Sequence, residues 1–196
     1  MTKKIISLVA LALIVSACSS NRNVPLAGAT TPATGEDTST QMADASAPKN
    51  DDEIVNMLLT VNTEEMNLAK LGKNQAQDSK VKEFANHMMA MHAKSNDEAS
   101  MLRKREKIAL SESIPSNTLK IVTEDKIEAM RSKKGKEFDR AFIQAQVELH
   151  QKALQKLQTS LIPYAQNAQL KAMLEKTKGE VQHHLEMAQN LQTSVQ

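Results

Sequence analysis

The sequence predicts an all-α protein: an antiparallel four-helix bundle with one short extra helix between the second and third long helices. Three observations carry this. The 196-residue chain has 2% aromatics, no Trp and 11 methionines, a composition that suits helices packed by Leu, Ile, Val, Ala and Met better than a sheet. From Asp51 onward, apolar residues recur with a 3.6-residue period in long runs. Short turn-forming stretches separate those runs, as expected for antiparallel neighbours, and the apolar stripes are wider than coiled-coil heptads.

Everything before Asp51 has another character. Met1–Lys4 is a short basic start, and Ile5–Val15 is an apolar run of signal-peptide length, too short for a spanning helix. It ends in Val15-Ser16-Ala17-Cys18, which resembles the bacterial lipobox that precedes a lipidated cysteine. Cys18 is the only cysteine, so no intramolecular disulfide is available. By analogy with lipoprotein sorting, Ser19 after the cysteine points to the outer membrane of a two-membrane cell, facing the periplasm. Ser19–Lys49 is rich in Ser, Thr, Ala, Pro and Gly and reads as a disordered tether. A flexible coil of that length has ends roughly 30 Å apart. The expected organisation is a lipoprotein signal peptide over residues 1–17, a lipidated Cys18 and tether over 18–50, and a helical domain over 51–196. Lys3 and Lys4 account for two of the 25 basic residues, so the chain without its leader balances 23 basic against 23 acidic. That neutrality, with no basic patch interleaved with aromatics, gives no case for nucleic acid. The membrane, reached through Cys18, is the implied partner.

The first helix shows Ile54, Leu58, Val61, Leu68 and Gly72 on one face, with Asp51 or Asp52 as N-cap. Glu65 lies inside that stripe and Glu64 well off it. Asn74–Ser79 reads as a turn. The second helix, about Lys80 to Lys107, carries Val81, Phe84, Ala85, Met88, Ala99 and Leu102. His92 is central on that face and His87 lies on its flank. Pro115 breaks the helical pattern, and a short helix is expected from about Thr118 to Met130. Arg131–Lys136 is a solvated basic turn. The third long helix runs to about Ser160, with Asp139, Phe142, Gln146, His150, Ala153 and Leu157 on one face. Pro163 suits the first turn of the last helix. That helix presents Leu170, Leu174, Val181, Ala188 and Leu191, with His184 in the same arc and His183 about 100° further round. Gly179 is a weak point or kink within it.

Each long helix thus turns an ionisable group inward: Glu65, His92, Asp139 with His150, and His184. Buried charges are costly unless they are paired. Their repetition on every long helix points to a shared polar cluster, with Gln146 and Met88 as secondary members. Such a cluster either closes a structural hydrogen-bond network or binds a transition metal. A mixed His and carboxylate set suits zinc, iron or manganese; the Met88/Met91 and His87/His92 group suits copper(I). A standard di-iron site needs two Glu-x-x-His pairs, and only Glu180–His183 has that spacing. No phosphate loop or nucleophile motif suggests turnover.

Several pieces of this sequence resemble the bacterial family catalogued as domain of unknown function 4142, whose members look like ferritin-like bundles. They are Glu65 in EMNLAKLG, VKEFANHMMAMH ending at His92, GKEFDRAF around Asp139, QVELH ending at His150, and HHLEMAQNL with His184. Two departures stand out: Met91 where the family usually has Asp, and Lys178-Gly179 where it usually has Leu-Pro. The resemblance implies the fold and singles out the same inward residues, but it supplies no reaction. The sequence thus leads to a lipid-anchored envelope protein whose polar core is structural or binds a metal. A metal-dependent iron or manganese oxidase or peroxide-handling enzyme, and a copper-binding periplasmic protein, are the alternatives.

Overall fold

The first helix, α1 (Asp51–Gln75), begins where Asn50 accepts the Glu53 backbone N–H at 2.9 Å. Asn50 is therefore the cap, one residue before the aspartates expected in that role. Asp51 instead accepts the backbone N–H groups of Gln166 and Asn167, and Asp52 that of Ala109, so both tie distant loops to the start of α1. These details come from a computed structural model, which describes residues 48–195. The expected signal peptide, Cys18 and nearly all of the expected tether lie outside the described residues.

Asp78 caps the second helix, α2 (Ser79–Glu106), by accepting from the Lys80 and Val81 backbone N–H groups. Lys107 ends it in the left-handed region at φ 56°. The third, α3 (Ile114–Arg131), starts at a Ser113 cap with Pro115 in its first turn. It is longer than the sequence suggests, because proline lacks only an N–H that a first turn leaves unbonded anyway. Gln75 closes its far end, its amide donating to the carbonyls of Met130, Arg131 and Lys133.

The fourth helix, α4 (Gly135–Lys156), runs into a π-helical segment, Leu157–Leu161, and then into α5 (Ile162–Tyr164). Pro163 therefore ends this stretch and does not open the last helix. The last helix, α6 (Ala168–Ser194), opens at Asn167, whose side chain accepts from Gln169 and Leu170 N–H. It runs unbroken past Gly179.

Among the described residues the protein is an all-helical bundle without strands. No described helix is long and apolar enough to cross a membrane. The most extensive packing is α1 on α2 and α4 on α6, with α3 laid against α1. That third contact explains Glu64: although off the main stripe, it is buried, because α3 covers a second side of α1.

The apolar core is in two parts. One holds Leu68, Phe84, Met88, Phe138, Phe142 and Leu185. The other holds Ile54, Leu58, Leu102, Leu157, Leu170 and Leu174. Each of α1, α2, α4 and α6 passes from one part to the other, and at the crossing it carries a buried polar residue: Glu65, His92, His150 or His184. A polar layer therefore divides the core.

Candidate metal centre

His92, His150 and His184 meet in that layer. Their ring centroids lie 5.5 to 6.0 Å apart, and all three residues are buried. One ring nitrogen from each lies within 4.8 Å of the other two.

On two of the rings the hydrogen bonds fix which nitrogen is free. His150 Nδ1 sits 2.9 Å from the Gln146 carbonyl oxygen, which can only accept. Nδ1 therefore carries the proton and Nε2 keeps its lone pair. His92 Nδ1 sits 3.0 Å from Asn62 Oδ1, while the amide nitrogen of Asn62 donates to Ser95 Oγ. His92 Nε2 is then the lone-pair nitrogen. His92 Nε2, His150 Nε2 and His184 Nδ1 are all buried without a hydrogen-bond partner. Leaving such atoms unsatisfied costs about 1–3 kcal/mol each.

Electrostatics keep His92 and His184 neutral. Burial, then the neighbouring His150 and His184, push the His92 imidazole down to about 3. Burial, then His150, His87 and His183, push His184 down to about 3. Neutral imidazole is the form that binds a metal. Three buried rings that each have an unpartnered nitrogen, two of them with the second nitrogen hydrogen-bonded, fit a metal ion well. Bonds of about 2.0–2.1 Å to a tetrahedral zinc would draw the nitrogens to roughly 3.3 Å apart.

The other residues singled out by sequence are placed differently. Glu65 is buried beside the cluster and accepts from Gln146 Nε2 at 3.2 Å. Gln146 is fully buried, with its Oε1 unpartnered. Asp139 is buried too but serves elsewhere, accepting the Gln77 and Asp78 backbone N–H groups at 2.9 and 2.8 Å. It shares a helix face with His150 but lies eleven residues away, or about 16 Å along the axis. Met88 belongs to the apolar core near Phe84. His183 is exposed. His87, expected at the flank or in solvent, is half-buried, with its ring 5.9 Å from that of His184 and its Nε2 orphaned.

The family described as "Domain of unknown function (DUF4142)" matches residues 36–191. The chain belongs to this family. No curated protein and no solved structure matches it. In this DUF4142 member the position of Met91 is half-buried and lines a cavity beside His92.

Asn62 is the site residue that sequence reasoning missed. It lies four residues after Leu58 and three before Glu65, inside the apolar stripe. A polar residue within a stripe was the available signal, the same one that singled out His92.

Proposed function

We propose that this protein is a lipid-anchored envelope protein whose ferritin-like, antiparallel four-helix bundle holds a transition-metal ion on His92, His150 and His184. The observation that carries the reading is that three buried histidines each bring a ring nitrogen within 4.8 Å of the other two, and that each ring has a buried nitrogen without a hydrogen-bond partner. The bundle arrangement is supported by the pairing of α1 with α2 and of α4 with α6 across short turns. The envelope location rests on the leader and Cys18.

The donors select the ion. Imidazole suits zinc, copper, nickel and iron, whereas manganese and di-iron sites draw on carboxylates. Among the described residues, no carboxylate joins the three imidazoles. The iron or manganese oxidase and peroxide-handling readings therefore draw little support, and zinc is the first choice. A cuprous ion is the second, favoured by Met57 and Met91 in the cavity wall beside His92. Bound zinc would supply a Lewis-acid centre with a position open to an outside ligand. No turnover is assigned.

The test is elemental analysis and thermal unfolding of protein purified without a His tag. One equivalent of zinc or copper should bind. At a hundredfold excess over Kd it should stabilise the fold by about 2.7 kcal/mol, and it should leave a His92→Ala, His150→Ala double variant unshifted. A folded wild type that takes up no metal would make the polar layer purely structural.

A further inference from the structure

Beside the polar layer the fold leaves a cavity of about 330 Å³, within the size range of small-molecule sites. Its wall is mainly apolar: Leu58, Val61, Leu119, Leu149, Leu157 and Val181. His92 and His184, two of the three clustered histidines, stand in the same wall. Leu157 and Leu161 bring the π-helical segment to the cavity, and π-bulges inside α-helices recur at functional sites.

We propose that this cavity binds the alkyl chain of a small monocarboxylate whose head group faces His92 and His184, and that a metal ion on the three histidines switches this binding on. The proposal rests on the metal reading above. The apolar wall accounts for the chain, since each buried methylene tightens binding about fourfold. The histidine wall accounts for the head group. Without an ion the charged side chains of the lining balance, Lys152 and Lys156 against Glu65 and Glu180, so an anion meets no net positive charge there. A divalent ion on the three imidazoles shifts that balance to net positive charge and keeps a coordination position for an outside ligand. A carboxylate satisfies both.

The test is calorimetric titration of hexanoate, octanoate and decanoate, below micelle-forming concentrations, into untagged protein with and without zinc. The zinc-loaded protein should bind them with an affinity that rises about fourfold per methylene until the cavity fills. The zinc-free protein should bind at least ~10-fold more weakly, a difference of about 1.4 kcal/mol or more. Leu119→Trp fills the cavity from α3, a helix that carries none of the three imidazoles. It should abolish the chain-length dependence and keep the zinc stoichiometry. If that variant fails to fold, Val122→Trp on the more exposed part of the same wall replaces it. Zinc-loaded protein that ignores carboxylates, binds all lengths alike, or matches the zinc-free form overturns the proposal. If no zinc binds at all, the metal reading and the switch fail together, and the matching alkanols then test the cavity alone. Chain-length-dependent alkanol binding lost in Leu119→Trp would preserve an apolar-chain site, and its absence would end it.

Discussion

At the scale of single residues, the histidines of the polar layer make stability depend on pH in a definite direction. His92 and His184 sit near 3 in the folded protein, against about 6.5 in an unfolded chain. Below pH 6.5 the unfolded state takes up protons that the folded state refuses, so stability falls as pH falls and is fully present only above that value. For metal-free protein the loss between pH 6.5 and 5 should be roughly 1.6 kcal/mol per histidine. Urea titrations at the two pH values measure it. His92→Phe should remove about half of the slope, and an unchanged slope would mean that His92 is not held neutral by burial. Asp139 makes the opposite point. Its carboxylate serves two backbone N–H groups at the start of α2. Asp139→Ala should therefore destabilise the fold by about 1–3 kcal/mol for each abandoned donor and leave the zinc affinity of folded protein unchanged. A large loss of zinc affinity would return Asp139 to the site.

At the scale of elements, α1 and α4 meet at a glycine. A Cβ on Gly72 would come within 2.4 to 3.0 Å of three ring carbons of Phe142, and Phe142 is fully buried against Phe138 and Phe84. The ring has nowhere to go, so Gly72→Ala should cost about 1–3 kcal/mol through overpacking, despite alanine's better helix propensity. Gly179 is the control. Nothing lies within 4 Å of a Cβ there, and Gly179→Ala should stabilise α6 by about 0.5–1 kcal/mol. Thermal unfolding of both variants checks the pair of opposite signs. These elements also mark what was legible in the sequence. Periodicity found the long helices and put Glu65, His92, His150 and His184 inside. It could not say that Asp139 and His150, on one face, belong to different layers, because an angular projection discards height along the axis. It also misplaced the ends. Asn50, Asp51 and Asp52 are all competent caps, and only the loops that Asp51 and Asp52 bind decide among them. Pro163 is as compatible with the end of a π-distorted helix as with the start of a new one.

At the scale of the whole molecule, the divided core and the leader make separate demands. Two apolar layers with a polar one between them cost stability that a uniform core would keep, and the proposed ion-binding role would account for that cost. If the leader directs lipidation, Cys18 is the attachment point; no described helix is long and apolar enough to cross a membrane. Two acyl chains hold a protein on a bilayer far more firmly than one, so the lipidated form should stay with membranes through salt and carbonate washes. Cys18→Ser should leave an unprocessed precursor lacking label from a radioactive fatty acid. The helical domain should fold as before, because both parts of the apolar core are built from residues between Ile54 and Val195. Equal processing, labelling and membrane retention of wild type and variant would remove the lipid anchor while leaving the histidine site intact.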